Sequence, residues 1–456
     1  MVEQLYALLH HLTVLAIIFM LALLGVAGIR VQAKEARRYK DGGLAAAPKG
    51  KAHGIIMGKN KLGRLVYSPT GREGHVCVFG GSGQGKTAAI LIPTLRSWTG
   101  PFFCIDISGD IATNVTPTKS LRFEPSSRET VPYNVFALID ELEGDTDAQN
   151  EQLEKLAYLI MPDIPNASDA SLFFNTEGRK ILTGVLIAFY HAGLDFAEIC
   201  RKIVGLGWRD LFRELDSQAC EVASMYISSF KGTSEQNTGG CKQAVDAAVK
   251  LFALNKAVAN ALRRPRSGEA SFTPRTLETT SVFMVVPDNL LDVYGPLMNI
   301  VISQSLTYFS TRTIGAKPTI LFALDEFASL GKMDIIGALQ KLRKRSVRLL
   351  VISQSMADLD RVYGETERKS MMANYRYQVV LGAADTETQE YFAKLIGHKK
   401  ENTVSTTHGA GTSYTEREER VYAVEPEELG RLKKELIVIH PGGHERLQKA
   451  FYFKGQ

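Results

Sequence analysis

Apolar and polar positions divide the chain into strand-like and helix-like stretches. Short apolar runs typical of buried strands occur at Val76–Phe79, Pro101–Asp106, Ser281–Val286, Pro318–Asp325, Leu349–Ile352, Gln378–Leu381, Ile437–Ile439 and Ala450–Phe453. Core strands that are apolar throughout are typical of a parallel sheet covered by helices on both faces. Because helix-like stretches separate these runs, the pattern predicts an α/β fold with a mainly parallel sheet.

The middle of the chain has a helical pattern instead. Two sets of apolar residues each fall on one helix face: Leu182, Val185, Leu186 and Phe189, and then Val245, Ala248, Val249 and Phe252. Strand-like runs are scarce there, so the spacing predicts amphipathic helices. We therefore predict an all-α domain at residues 138–275, inserted between two parts of the α/β domain at 52–137 and 276–456.

Three shorter segments have patterns of their own. Short apolar runs alternate with Gly and Pro over Gly54–Thr70, which favours a small β-hairpin before the first core strand. Residues Gly337–Val347 are expected to form a basic helix. The segment Glu401–Arg420 is rich in Thr, Ser, Gly and charge, and we predict a mobile loop there.

The first thirty residues are dominated by apolar side chains. The run Leu5–Ile29 is interrupted by His10, His11 and Thr13 and can cover the roughly 20 residues of a bilayer span. It is followed by basic residues: Arg30, Lys34, Arg37, Arg38 and Lys40. The apolar length predicts a transmembrane anchor at 1–30, followed by a linker at 31–51. The positive-inside rule then predicts a cytoplasmic body with the N-terminus facing out. A buried core helix and a signal peptide are the alternatives, although a signal peptide normally begins with basic residues.

Composition narrows the function classes only slightly. Of 456 residues, 45% are hydrophobic and 23% charged, which is typical of a globular protein rather than a disordered one. The net charge of +5 permits nucleic-acid contact without arguing for it, because Lys and Arg are spread along the chain. The five cysteines form no CxxC pair. Since Cys77 and Cys104 lie in apolar runs, we expect buried reduced thiols there rather than a disulfide or zinc site.

The most specific motif follows the first core strand. It fits the phosphate-loop pattern G-x-x-x-x-G-K-[ST] with Gly80, Gly81, Ser82, Gly83, Gln84, Gly85, Lys86 and Thr87. Small residues let successive backbone N–H groups close around phosphate oxygens, and the following helix adds its positive end. We expect Lys86 on the β- and γ-phosphates and the Thr87 hydroxyl on Mg²⁺. A dinucleotide loop would need glycine in place of Ser82, so the motif predicts a nucleoside-phosphate site.

Polar residues also follow other predicted strands, where ligands of a parallel sheet bind. The run that ends in Asp325-Glu326 offers one carboxylate to hold Mg²⁺ through water and a second to polarise an attacking water. Gln354, after the next run, can sense the γ-phosphate. Asp106 ends another run, where a helix cap is favoured over a place near Mg²⁺.

In this order, the pieces resemble the type IV secretion coupling proteins, the TraG/TraD-like conjugative ATPases. The resemblance rests on Gly54–Gly58, on His75–Thr87 as Walker A, on Asp325–Gly331 as Walker B, on Gln354-Ser355 as motif III, and on the ending Leu436–Phe453. It covers roughly residues 50 to 453, and the combination is far more specific than a lone phosphate loop.

The resemblance implies a RecA-like P-loop ATPase that binds ATP and Mg²⁺ and assembles as a hexameric ring on the bacterial inner membrane. Such a protein recruits a relaxase–DNA complex or effector proteins, engages DNA and cargo through its all-α domain, and drives them toward the secretion channel. Within this scheme Thr87 and Asp325 serve Mg²⁺, while Glu326 and Gln354 are catalytic.

The family also implies that an arginine from a neighbouring subunit completes each ATP site. By its position in the basic helix, Arg343 matches that residue, where it would neutralise charge on the transferred phosphoryl group. The alternative is a solvated basic face shared with Lys344 and Arg345.

Three departures from the family pattern keep other functions open. One membrane helix is predicted where the family usually has two around a periplasmic domain. The segment Asp106-Ile-Ser108-Gly109-Asp110 replaces Asp-x-Lys-Gly-Glu, and the long acidic tail of some effector exporters is missing. A membrane-bound receptor or scaffold of the secretion apparatus is therefore one alternative. A DNA-pumping translocase of the segregation kind is the other.

Overall fold

The computed structural model describes residues 11–23, 25–26, 39–48, 50–107, 109–164, 167–232, 234–408 and 412–453, without the side chains of 402–417. Within these ranges the strands are β1 Ala45–Ala47, β2 Gly54–Lys59, β3 Leu65–Pro69, β4 His75–Gly80, β5 Phe102–Asp106, β6 Ser120–Phe123, β7 Ser281–Val285, β8 Ile320–Leu324, β9 Val347–Ser353, β10 Tyr375–Gly382, β11 His398–His408, β12 Thr412–Tyr422, β13 Glu435–His440 and β14 Gly443–Gln448.

One large sheet organises the described chain. Its strand order is β1-β3-β2-β14-β13-β10-β4-β9-β8-β5-β7-β6. The strands from β10 to β6 run parallel to one another, whereas those from β1 to β13 pair antiparallel. The parallel core confirms the predicted α/β class. We call the side where parallel strands end the carboxyl edge, and the side where they begin the amino edge.

Successive residues of each core strand face opposite sides of the sheet. In β5, Phe103 and Ile105 pack into one apolar cluster, whereas Phe102 and Cys104 pack into the other. Both clusters are covered, which is why the strands are apolar throughout, and burying one such side chain contributes about 1.5–3 kcal/mol. Cys77 and Cys104 are buried free thiols, as the apolar runs predict.

The segment between β6 and β7 is helical in the described residues. Its helices are Ala137–Asp140, Thr146–Ile160, Asp169–His191, Phe196–Gly205, Trp208–Ser217, Glu221–Ser228, Glu235–Leu254 and Lys256–Ala261. Asp145, Ser168 and Asp195 each cap a helix by accepting a hydrogen bond from a backbone N–H of the first turn. The helices share an apolar cluster with one sheet face. The boundaries of the all-α domain at 138–275 stay a prediction.

The other helices cover the sheet and connect its strands. They are Ile92–Ser97, which continues a wide helical turn at Thr87–Leu91, and Asp110–Asn114, Leu291–Thr311, Ile335–Leu342, Met356–Ala373, Thr386–Ile396 and Pro426–Gly430. The basic helix ends earlier than expected: it stops at Leu342, and a short turn over Arg343–Arg345 leads into β9.

Two local predictions are wrong. The loop predicted at Glu401–Arg420 lies mostly in the antiparallel hairpin β11–β12. Thr, Ser and charged residues dominate this stretch, so no apolar run marks the strands, although β-branched Thr favours them. The run Ala450–Phe453 is not a strand, because the chain leaves the sheet after β14.

The predicted anchor at 1–30 falls partly outside the described residues. Residues 11–23 and 25–26 are helical, with side chains such as Leu15, Phe19 and Leu21 exposed. Among the helices that the structure describes, none is both long and apolar enough to cross a bilayer. The anchor therefore stays a prediction.

Candidate nucleotide site

The phosphate loop connects the carboxyl end of β4 to the helical turn at Thr87. Gly83 and Gly85 have φ of 72° and 86°, a left-handed backbone that glycine adopts at little cost. Ser82 and Gly83 are exposed at the tip of the loop, whereas Lys86 is buried at its base. The loop thus has the conformation that the spacing of glycines requires.

Lys86 and Thr87 connect this loop to the predicted Walker B residues. The Lys86 Nζ donates to the Gly80 carbonyl at 2.8 Å and lies 3.5 Å from a carboxylate oxygen of Glu326. The Thr87 hydroxyl donates to Asp325 Oδ2 at 3.1 Å. The contacts of Lys86 with Glu326 and of Thr87 with Asp325 join residues more than two hundred positions apart, because β4, β9 and β8 are neighbours that end at the same edge.

Glu326 and Gln354 face each other across this edge. Gln354 Nε2 donates to Glu326 Oε2 at 3.0 Å. Glu326 has a left-handed backbone, with φ of 44°, and its N–H donates to Asp325 Oδ1 at 3.0 Å. A non-glycine residue in this conformation costs of order 1–3 kcal/mol, a strain that often accompanies functional sites.

Asp325 has an altered acidity. Burial, followed by the nearby charge of Glu326, raises its pKa to about 6. Lys86 and the hydrogen bonds from Thr87 and the Glu326 backbone oppose this shift. A carboxylate that is costly to ionise alone gains from a nearby cation, so this position favours a metal ion.

Asp106 has the structural role that the sequence favoured. Its two carboxylate oxygens accept hydrogen bonds from the backbone N–H groups of Gly109 at 2.8 Å and Ala112 at 2.7 Å. These bonds cap the short helix Asp110–Asn114. Ser108 lies outside the described residues.

Arg343 is not part of this cluster. It lies in the turn before β9, where it pairs with Glu73 at 3.6 Å and is about half exposed. Since β9 has seven residues, this amino-edge position is about 20 Å from the carboxyl edge at 3.3 Å per residue. Arg343 therefore cannot reach the phosphate loop of its own chain.

The neighbouring basic residues are distinguishable by their contacts. Arg345 donates to the Arg312 carbonyl. Arg348 is fully buried and donates to backbone carbonyls of Gly74 and Pro69. Arg343 and Lys344 remain as exposed cations of this turn.

Sequence reasoning missed residues from the end of the described chain. Lys449 is buried, and its Nζ donates to the Gln84 carbonyl at 2.9 Å. Phe451 covers Gly85, where a Cβ atom would lie 2.8 Å from its ring. The only sequence signal was that both lie within the family-like ending Leu436–Phe453, which says nothing of their contacts.

The residues at the carboxyl edge fit a nucleotide with Mg²⁺. A glycine loop with a buried lysine suits a phosphate chain, and a paired threonine hydroxyl and aspartate suit a hard cation. Glu326 and Gln354 lie beyond them on the adjacent strand ends. Glu326, Gln354, Thr87 and Asp325 are thus brought together with Lys86, whereas Arg343 is not.

Comparison with known proteins places this geometry in a family. Residues 45–456 match the family described as type IV secretory system conjugative DNA transfer. The chain is 22% identical over 406 residues to the type IV secretion system-coupling protein VirD4 of Bartonella henselae, covering 83% of this chain and 63% of that protein. It is 21% identical over 430 residues to the conjugal transfer protein TraG of Rhizobium radiobacter, covering 86% and 64%. The chain thus spans less than two thirds of these relatives.

Solved structures share the fold. The unbound bacterial conjugative coupling protein TrwB lacking its first 70 residues aligns with a TM-score of 0.66 at 18% identity, covering 82% of this chain and 84% of that one. The plasmid coupling protein TrwB in complex with ADP and Mg²⁺ aligns with a TM-score of 0.65 at 19% identity, covering 83% and 85%. The family match over residues 45–456 shows that the protein belongs to the type IV secretory system conjugative DNA transfer family.

Proposed function

We propose that this protein is a coupling ATPase that uses ATP hydrolysis to drive transfer through a type IV secretion or conjugation channel. The observation that carries the proposal is the cluster at the carboxyl edge, where Thr87 bonds to Asp325 and Glu326 contacts both Lys86 and Gln354. A family member built only to bind nucleotide would not need a carboxylate and an amide beyond the phosphate loop.

Each residue of the cluster has a distinct task. Lys86 and the loop N–H groups would bind the phosphates, and Thr87 and Asp325 would hold Mg²⁺. When bound, ATP with Mg²⁺ supplies the phosphoryl group and neutralises its charge. Glu326 orients and polarises the attacking water, and Gln354, which is hydrogen-bonded to Glu326, responds to the γ-phosphate.

The position of Arg343 supports a shared site in an oligomer. An exposed arginine about 20 Å from its own phosphate loop can contact a bound nucleotide only on another chain. We therefore propose a ring, by family resemblance a hexamer, in which the amino edge of one subunit meets the carboxyl edge of the next. Glu73 holds Arg343 in the isolated chain through an exposed pair that contributes little free energy.

The family resemblance supports a proposal for recruitment and location. We propose that the protein is anchored in the bacterial inner membrane through residues 1–30 and that its cargo is a relaxase–DNA complex or protein substrates. The exposed apolar side chains between Leu12 and Val26 support an apolar environment for this segment. The all-α domain is the proposed contact for DNA or cargo.

The test is steady-state ATP hydrolysis by the full chain in detergent, measured against protein concentration with and without single-stranded or duplex DNA. We expect the rate per subunit to climb with concentration and to increase further with DNA. The Lys86→Ala variant, which lacks the phosphate-binding ammonium, is the control and should not turn over.

Other outcomes separate the alternatives. A rate that climbs with concentration but ignores DNA would assign protein cargo. Nucleotide binding without turnover at any concentration would contradict the ATPase and favour the receptor or scaffold. Pull-down of double-stranded DNA without secretion components would favour a pump of the segregation kind.

A further inference from the structure

The segment after β14, residues 449–453, packs against the phosphate loop and the helix that follows it. We call this segment the C-terminal strap. Lys449 reaches the loop at Gln84, and Phe451 covers Gly85. The Arg96 guanidinium lies 5.0 Å from the centre of the Tyr452 ring. The strap therefore contacts the nucleotide site from behind.

One contact of the strap depends on the wide turn after the loop. Ile92 N–H donates to the Thr87 carbonyl five residues earlier, and Pro93 has no N–H to offer the Ala88 carbonyl. That carbonyl instead accepts a hydrogen bond from Tyr452 N–H at 3.0 Å. The strap thus fills a hydrogen-bond position that the helix sequence leaves open.

Lys449 makes the closest polar contacts between strap and loop. Its Nζ donates to the Gln84 carbonyl at 2.9 Å, to Gln84 Oε1 at 3.2 Å and to the Leu432 carbonyl at 3.4 Å. Lys449 is 6% exposed, and in the part of the chain that the structure describes the hydrogen bonds of its Nζ go to these uncharged oxygens. Burying an ammonium without a carboxylate is costly. An apolar residue would be cheaper if only packing mattered.

Through the geometry of the peptide bond, the contact of Lys449 with the Gln84 carbonyl affects the orientation of the Gly85 N–H in the loop. The Gln84 carbonyl and the Gly85 N–H belong to one planar trans peptide and point in opposite directions. A cation on the carbonyl fixes the plane and polarises the N–H on its far side. In a phosphate loop that face is the one presented to phosphate oxygens.

We propose that Lys449 is a positioning residue that holds and polarises the Gln84–Gly85 peptide so that the loop is preformed for phosphate. The proposal rests on the nucleotide-binding function proposed above. Burial also lowers the pKa of Lys449 to about 8. The loop therefore has two lysines, Lys86 on the phosphate side and Lys449 behind it.

The experiment measures the affinity of the full chain in detergent for ADP with Mg²⁺ by calorimetry, together with KM and kcat for ATP. In Lys449→Met we expect Kd and KM to rise about tenfold, the scale of one charge-assisted hydrogen bond. We expect kcat to stay within about threefold, because Lys86, Glu326 and Gln354 are untouched. The control Lys433→Met removes an exposed lysine nearby and should change Kd less than twofold.

The outcomes are distinct. If Lys449→Met is folded and binds within twofold of the original chain, the inference is overturned. A fall in kcat at unchanged KM would also overturn it. If Lys449→Met does not fold, Lys449→Gln replaces it, because a neutral amide cannot polarise the peptide as the ammonium does; a folded Gln variant with unchanged Kd then overturns the inference. If the original chain itself does not bind ADP with Mg²⁺, it is the proposed function that fails.

Discussion

The two edges of the central sheet both hold buried charges, but they use them differently. At the carboxyl edge, ionisable side chains face one another: Lys86 lies 3.5 Å from Glu326, which lies next to the buried Asp325. At the amino edge, Arg348 and His75 are buried against the main chain instead. The strands between them are the same, so the difference arises from the side chains at their ends.

At the amino edge the buried side chains of Arg348 and His75 form hydrogen bonds with uncharged partners. Arg348 donates to the carbonyls of Gly74 at 2.9 Å and Pro69 at 3.0 Å and to the Ser68 hydroxyl at 3.0 Å. His75 Nε2 donates to the Leu339 carbonyl at 2.9 Å, while its Nδ1 accepts from Leu349 N–H at 3.0 Å. Both groups are satisfied without a ligand, which is the mark of a structural role.

At the carboxyl edge the groups remain in electrostatic conflict. Two adjacent carboxylates share one lysine, and the pKa of Asp325 is raised to about 6 by burial and by Glu326. A cation and a phosphate chain would relieve this conflict. The unfavourable electrostatics of the carboxyl edge therefore mark a candidate functional site, whereas the hydrogen-bonded charges of the amino edge have a structural role.

The largest expected effect is the loss of ATP turnover when Arg343, a residue of the amino edge, is replaced. Arg343 lies at the amino edge but is exposed, so in a ring it can join the carboxyl edge of a neighbour. We predict that Arg343→Ala lowers ATP turnover by about 10³-fold, the scale of an arginine finger, with unchanged nucleotide affinity. Turnover and Kd are measured on the same preparation.

A mixing experiment sharpens this prediction. Adding Lys86→Ala chains, whose arginine is intact, to Arg343→Ala chains should restore part of the rate, because each supplies what the other lacks. Lys344→Ala is the matched control and should behave like the original chain. Loss of nucleotide affinity in Arg343→Ala, or no rescue on mixing, would argue against a site shared between subunits.

A smaller effect tests the structural role of the amino edge. Arg348→Met leaves the buried Gly74 carbonyl and the partly buried Pro69 carbonyl without their donor and should lower the free energy of unfolding by about 3 kcal/mol. The affinity of the folded fraction for nucleotide should not change. Urea unfolding and calorimetry measure the two quantities.

The exposed Arg72 provides the control for this variant. Arg72→Met removes a nearby cation and should change stability by less than about 0.5 kcal/mol. An Arg348→Met protein as stable as the original would mean that the buried contacts contribute no net free energy.

The smallest effect is a pH dependence at the same edge. Burial, followed by the charge of Arg348, lowers the pKa of His75 from 6.5 to about 3. The folded state favours the neutral form of His75. The contribution of this residue to the free energy of unfolding is therefore complete above pH 6.5 and declines as pH falls toward 3. Between these values the unfolded chain binds one more proton than the folded chain. The free energy of unfolding therefore falls by about 1.4 kcal/mol for each unit by which the pH is lowered.

Urea unfolding at pH 7.5 and pH 5 measures this term. In His75→Gln the part of the pH dependence due to this residue, about 2 kcal/mol over that interval, should disappear. His53→Gln, which alters an exposed histidine, should keep it. An identical pH dependence in all three proteins would contradict a buried neutral His75.

The sequence predicts the parallel core well, because strands that are buried on both faces are apolar along their whole length. Strands such as β5 and β8 contain no polar residue before their ends, and a phosphate loop after β4 locates the carboxyl edge. The hairpin β11–β12 has no such apolar run, because polar residues make up most of it. Its strands are held together by backbone hydrogen bonds, which leave no apolar pattern in the sequence.

The site is predictable only where residues belong to a motif. Lys86, Asp325 and Gln354 follow strands whose order forces them together. Lys449 lies 365 positions from Gln84 and follows a polar strand, so its contact with the loop has no local signal. Arg348 looks like one more basic residue of its segment, and only its packing shows that it is buried.

The most direct test of the nucleotide site at the carboxyl edge is Glu326→Gln, which keeps the shape of the side chain and the space around Gln354. Binding of ATP with Mg²⁺ and its hydrolysis are measured on the same sample. We predict binding within about threefold of the original chain and turnover lower by about 10²–10⁴-fold, because the water loses its base. Full turnover in Glu326→Gln would contradict the assignment of the carboxyl edge as the catalytic site.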